Sequence, residues 1–264
     1  RDIMQKNHIS YSEFKIWKEC PWRHKLQYID NLKGFQGNEY TAFGTAIHDI
    51  CEKTARGELS GPAHAKLLFS KRFKEEIESL PKEHVLKEQL LQEMQEQAKG
   101  LIPDIFPALN DYFGEHEVIA AEERLYEPIK EYLESEHKFK GFIDLIIKTK
   151  DGKYHVIDWK TCSWGWDARK KNDKMIVYQL IFYKHYLALK YDIDPKNIET
   201  HFALLKRTAK KNRVEIFKVT SGKKRTENAL KMLKNALYYI NRKFTIKNRL
   251  SCKYCDFYKT EHCT

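Results

Sequence analysis

No run of 18 consecutive apolar residues occurs in the 264-residue chain, which leaves no candidate for a membrane-spanning helix. No signal-peptide pattern of basic start, apolar stretch and small-residue cleavage site stands at its beginning. Its six cysteines follow no regular disulfide-scaffold spacing, which argues against a small stapled secreted fold and for reduced thiols able to hold a metal or cluster. Internal repeats and low-complexity stretches are also missing. These absences lead to the expectation of a cytoplasmic protein, cellular or phage-encoded, with no membrane partner.

At 31.5 kDa the chain is long enough to bury a full core, either as one large domain or as a domain carrying a helical insert. The formal net charge is +11, and it is unevenly spread. Residues 1–136 hold 18 Lys and Arg against 25 Asp and Glu, a net of −7, whereas residues 137–264 hold 30 against 12, a net of +18. A strongly basic half suits a polyanionic partner whose phosphates it can neutralise. Solvated lysines would give the same total, so charge alone does not identify DNA.

The most informative stretch lies at the start of the basic half. GFIDLII, a turn at Asp151-Gly152, and YHVIDWKT read as a β-hairpin. It places Asp144 on one strand and Asp158 and Lys160 on the next, the last two sharing a face because strand side chains alternate. A surface salt bridge is the plain alternative. Val156, Ile157 and Trp159 around Asp158 instead suggest a central strand, where an ionised group is costly unless paired or metal-bound. Two carboxylates and a lysine converging there suit phosphodiester hydrolysis with Mg²⁺ or Mn²⁺.

Periodicity and turn residues predict a helix over 8–29 capped by Ser10 or Ser12, a loop over 34–40, and a helix over 41–56 ended by Gly57. Charged amphipathic helices are expected over 62–80 and 83–98, broken at Pro81 and Gly100, with a third piece running to about Phe113. A strand over 118–126 precedes the hairpin at 139–161. A loop over 162–173, a helix over 174–190, strands over 200–206 and 213–219, and a helix over 222–243 follow. The order gives a mixed α/β core with helices on its faces.

With these elements placed, the chain resembles the PD-(D/E)xK nuclease superfamily, and within it the RecB-like branch that includes AddB-type, CRISPR-adaptation-type and phage exonuclease-like members. The motifs run in family order: ISYSEFKIWKECPWRHKLQYI, FGTAIHDICE, AAEERL, GFIDLI, IDWKT, YQLIFY and CKYCDFYKTEHC. The resemblance implies an α/β restriction-endonuclease-like core, a central mixed sheet flanked by helices. It further implies one domain over 1–264, with a helical insert at about 60–115, a nuclease core at about 116–243 and a cysteine motif at 252–263. His48, Asp144 and Asp158 are implied metal ligands, with the Trp159 backbone carbonyl completing the shell. Lys160 is the implied catalytic lysine, and Glu122 the acidic strand residue with Glu123 as fallback. Gln179 and Tyr183, four apart on one helix face, are implied to orient Lys160 or touch the DNA backbone.

Each site has an ordinary alternative. His48 could be a core histidine, and Gln179 and Tyr183 could belong to a simple amphipathic helix. Trp164 and Trp166, interleaved with Arg169, Lys170 and Lys171, could stack bases and hold phosphates of a single strand, or could cap the core. Cys20, Cys252, Cys255 and Cys263 supply four thiols, the ligand count of a [4Fe-4S] cluster or of structural Zn²⁺. Cys51 and Cys162 read as buried thiols. The expected activity is metal-dependent DNA cleavage, exonucleolytic or end-processing, in recombination, repair or phage DNA metabolism. Its partners would be single-stranded DNA or duplex ends, with a helicase or recombination protein. A non-catalytic nucleic-acid-binding module of the same fold within a repair complex is the alternative.

Overall fold

A computed structural model describes residues 6–264 of the chain. Six strands form one mixed sheet: β1 (His8–Ser10), β2 (His116–Pro128), β3 (Lys138–Thr149), β4 (Tyr154–Cys162), β5 (Ile198–Lys206) and β6 (Val214–Val219). The spatial order is β1-β3-β4-β5-β6, with β2 paired antiparallel along β3. The strands β4 and β5 run parallel, joined through a helix because a parallel pair needs a crossover. Their residues Val156–Trp159 and Thr200–Leu205 are buried on both faces, which accounts for near-continuous apolar runs rather than alternation.

The two edges of β3 are used differently. One is bonded to β2 throughout, while the other is shared end to end by β1 at Lys138–Lys140 and by β4 at Leu145–Lys148. Between those two pairings the edge at residues 141–144 has no strand partner. The β3–β4 ladder stops at Leu145↔Ile157, and β4 continues along β5 alone. The sheet therefore forks where the next cross-strand pair, Asp144 and Asp158, would have stood.

Helices cover both faces. On one lie α3 (Glu39–Ala55), α4 (Pro62–Glu78) and α5 (Glu88–Phe113), packed with Leu145, Ile157, Trp159 and Leu205. The other carries α1 (Tyr11–Glu19), α7 (Lys174–Tyr191) and α8 (Lys223–Asn241), packed with Ile143, Val156, Phe202 and Leu204. The α7 helix is apolar around most of its circumference and packs against four of the strands, as a helix at the centre of a layered core must. Among the described residues no helix is long and apolar enough to cross a membrane.

Several expected boundaries move, among them the start of the helix expected at 83, which falls at Glu88. The single helix over 8–29 is instead β1, α1, the short α2 (Pro21–His24) and a π-helical turn at Lys25–Ile29. Ser10 does cap α1, accepting the Glu13 amide, but Pro21 disfavours helical geometry at Cys20, which is extended at φ −161°. No break occurs at Gly100. There α5 continues, because a side chain would stand 3.2 Å from the Arg213 guanidinium that pairs with Asp104 at 3.0 Å. Pro103 and Pro107 also lie inside α5. An interior proline costs about 3 kcal/mol, and burial of Met94, Leu101, Ile102, Ile105 and Leu109 at about 1.5–3 kcal/mol each outweighs both. Finally, the loop over 162–173 contains one helical turn, α6 (Ala168–Lys171), capped by Asp167.

Phe69 of α4 packs against both Phe43 and Phe73, with ring centroids 5.4 Å from each. Phe69→Ala should therefore lower unfolding stability by about 3–5 kcal/mol in urea titration, in one transition. A loss below about 1 kcal/mol would mean that α4 hangs loosely on the sheet.

Candidate active site

The fork is held by one hydrogen bond. Where the ladder would continue, the Trp159 amide donates to Asp144 Oδ2 at 2.8 Å. Its indole is buried among the α3–α5 side chains, 6.0 Å from the Phe106 ring, so this backbone amide has little freedom to move. Asp158 is 3% exposed, on the opposite arm of the fork. Extended by one step, the register would set Asp144 opposite Asp158, and burial together with the Asp158 charge pushes the Asp144 carboxyl well above the usual carboxylate range.

Lys160 shares the Asp158 face, as period-two alternation predicts. Its Nζ lies 2.8 Å from Asp158 Oδ2, close enough for an ion pair but not aligned as a hydrogen bond, so that buried oxygen keeps an unfilled acceptor position. The ammonium instead donates to Gln179 Oε1 at 2.8 Å, and Gln179 Nε2 donates to the Tyr183 hydroxyl at 3.2 Å. Burial and the Asp158 charge raise the Tyr183 phenol, which stays neutral. This chain requires Gly141, because a Cβ there would sit 2.9 Å from Tyr183 Cε1.

His48 reaches the fork from the other face of the sheet. Gly44, one turn earlier on α3, lets the helix approach β4 closely, since a Cβ there would lie 3.2 Å from the Thr161 hydroxyl. His48 Nδ1 is 3.8 Å from Asp144 Oδ1, and the ring lies near the Trp159 backbone. The imidazole is 35% exposed, yet desolvation in the fork holds its pKa below the ordinary value, favouring the neutral form. Glu122 stands opposite Asp144 on β2, since Ala121↔Leu145 and Glu123↔Ile143 flank it. Its backbone is left-handed at φ 53°, a strained geometry inside a strand, and desolvation and Glu52 raise its carboxyl. Glu123, the fallback, is instead bonded to Lys190 and Tyr191.

Two residues that motif reading missed stand beside this group. Glu52 and Arg56 follow His48 at successive four-residue steps on one α3 face, and Arg56 pairs with Glu52 at 2.5 Å and donates to the Ala121 carbonyl at 3.2 Å. Their helical spacing was the available signal. The donor types fit a divalent cation: two opposed carboxylates, a neutral imidazole, a backbone carbonyl and an Asp158 oxygen with an unfilled acceptor position. Their donor atoms do not all lie within 4.8 Å of one another, so an ion would draw them together.

The aromatic and basic strip after β4 divides. Trp164 is 80% exposed, and Arg169 and Lys170 are also exposed. Trp166 packs on Phe202 and Phe217, with the Lys170 ammonium 4.8 Å above its ring, while Lys171 pairs with Glu215. Cys51 is fully buried, whereas Cys162 is only half-buried because β4 ends there at the sheet rim. Cys20, Cys252, Cys255 and Cys263 line one small cavity between the chain ends. The Asn248 amide donates to Cys20 Sγ at 3.3 Å, and Asn248 and Ser251 side chains bind the Glu19 carbonyl at 2.8 and 2.6 Å.

The sequence profile described as the PD-(D/E)XK nuclease superfamily matches residues 8–260. No curated protein matches the chain. Among solved structures, a candidate exonuclease from Eubacterium rectale is 13% identical with a TM-score of 0.58, over 95% of this chain and 86% of that one. A second, SSO0001, is 14% identical with a TM-score of 0.45, over 97% and 85%.

The raised Asp144 pKa has a consequence for stability. The folded metal-free protein binds a proton there more tightly than the unfolded chain, so its stability falls as pH rises from the ordinary value of 3.8 through the raised one. In EDTA at pH 7.5, Asp144→Asn should melt higher than the parent, and the gap should close as the pH approaches 4. Mn²⁺ should raise the parent's melting temperature more than the variant's. A variant that melts no higher than the parent in EDTA would contradict this electrostatic account.

Proposed function

Because this chain belongs to the PD-(D/E)XK nuclease superfamily, we propose that it is a divalent-metal-dependent deoxyribonuclease of the RecB-like branch, acting at DNA ends. The observation that carries the reading is the fork itself. It sets Asp144 and Asp158 on the two arms of one hairpin, with Lys160 beside Asp158 and His48 approaching Asp144 from a helix far earlier in the chain. End-directed cleavage is the form we favour, in line with the name borne by the similar fold from Eubacterium rectale.

Asp144, Asp158 and His48, with the Trp159 carbonyl, would hold Mg²⁺ or Mn²⁺, which would supply a more acidic water and charge neutralisation at the leaving oxygen. The remaining roles fall to the chain. Lys160, steered by Asp158 and Gln179, presents its ammonium to the scissile phosphate and to the attacking water. Tyr183 holds Gln179 in place, and Glu122 borders the site as a carboxylate able to accept a proton. Trp164, Arg169 and Lys170 extend the rim beyond β4 toward a DNA strand, with Trp166 and Lys171 as their support.

The cysteines fit a [4Fe-4S] cluster better than zinc. Tetrahedral Zn²⁺ with bonds of about 2.3 Å needs sulfurs about 3.8 Å apart, whereas a cubane holds them wider. Among the described residues no three of these thiols lie within 4.8 Å of one another, although all four face one cavity. A cluster there would clasp the two chain ends, and recombination or repair alongside a helicase is the setting we propose.

Labelled single-stranded and duplex DNA, digested with and without Mg²⁺ or Mn²⁺, tests the activity. Asp158→Ala and Lys160→Ala should each cut cleavage at least 100-fold, about 2.7 kcal/mol of barrier, while DNA binding and fold persist. Full activity in either variant would overturn the assignment. Protein purified anaerobically should be brown and carry about four irons per chain. Colourless protein holding one zinc would replace the cluster with zinc, and metal-free protein in every preparation would leave the cysteines as plain thiols.

A further inference from the structure

A second group of ligating side chains lies on the opposite face of β4 from Asp158. His155 of β4 stands opposite Glu199 of β5, and His201 is the next β5 residue on that face. The imidazoles are 6% and 1% exposed, and Phe113 of α5 covers both, its ring centroid 4.9 Å from each. His155 Nδ1 lies 3.0 Å from His201 Nε2, and Glu199 Oε2 lies 3.7 and 3.9 Å from those same two atoms. Among the described residues this is the one set of three such side chains whose donor atoms all lie within 4.8 Å.

We propose that His155, Glu199 and His201 bind one Zn²⁺-class ion, independently of the Asp144–Asp158 fork. The spacing matches the ion. Tetrahedral zinc, with bonds of about 2.0–2.2 Å to nitrogen and oxygen, sets its ligand atoms about 3.4 Å apart, and the three observed separations bracket that value. Two imidazoles with one carboxylate form a borderline donor set that favours zinc over magnesium or calcium.

The surroundings already orient two of the ligands. The Thr149 hydroxyl donates to Asp151 Oδ1 and so accepts the proton of His155 Nε2 at 2.9 Å, which leaves a lone pair on Nδ1. Glu199 divides its oxygens: Oε1 takes the Lys153 and Lys218 ammoniums at 3.1 and 2.8 Å, and Oε2 faces only the two rings. His201 Nδ1 is buried without a partner, so no outside bond fixes that ring's tautomer and Nε2 can carry a lone pair when Nδ1 holds the proton. A cleft bordered by Tyr112, Glu115, Lys150 and Asp151 opens onto the group and gives an ion its way in.

Such an ion would tie β4 and β5 together beneath the end of α5. It would act on stability, since β4 reaches the fork only three residues later, on its other face.

The test is a Zn²⁺ titration of the full chain, followed through the imidazole ¹⁵N resonances and by calorimetry. One equivalent should move the ring signals of His155 and His201. Glu199→Gln should weaken that binding at least ten-fold, and His201→Gln should abolish it. If His201→Gln fails to fold, the spectra of the parent and Glu199→Gln decide. Zinc taken up at the fork or the cysteines leaves both rings' signals in place, and that result overturns the proposal. Moving rings with unchanged affinity in Glu199→Gln would overturn the three-ligand site.

Discussion

The bond from the Trp159 amide to Asp144 Oδ2 replaces a rung of the sheet, and the site depends on that replacement. A regular antiparallel ladder would have carried β3 and β4 past each other, closing the space between the two carboxylates. Ending it at Leu145↔Ile157 lets β4 follow β5 while β3 follows β2. The amide is satisfied by a side chain rather than by a backbone carbonyl, so the split leaves this N–H paired, while Asp158 Oδ2 keeps an unfilled acceptor position. Trp159 serves twice: its indole is locked in the α3–α5 core, and its amide holds Asp144.

Holding two carboxylates across such a fork is unfavourable without a cation. Burial and mutual repulsion raise Asp144, and Glu122 is raised nearby at a strained backbone position. Lys160 offsets part of this charge, but its best-aligned bond goes to Gln179. The structure thus stores electrostatic strain where the proposed chemistry needs a divalent ion, as catalytic sites commonly do. Around it, Gly44 and Gly141 allow α3 and α7 to close in from opposite faces.

Much of this was legible in the sequence because the signals were local. Alternation and the Asp151-Gly152 turn defined the hairpin, and the four-residue spacing of Gln179 and Tyr183 placed both on one face of α7. What stayed hidden depends on remote partners. The three residues of β1 carry no strand signal, since they pair with β3 about 130 positions later. Gly100 looks like a helix breaker until Arg213 is seen filling its space. Trp164 and Trp166 look alike in sequence, and only the positions of Phe202 and Phe217 separate the exposed ring from the packed one. The His155–Glu199–His201 group likewise exists only through the β4–β5 register.

The central claim is that the fork is a divalent-cation site formed by two strands and α3. A crystal grown with Mn²⁺ and measured at a wavelength where manganese scatters anomalously tests it most directly. The account predicts an anomalous peak between Asp144 and Asp158, within bonding distance of His48. A fully occupied manganese peak elsewhere, with the fork empty and the Trp159–Asp144 bond intact, would contradict it.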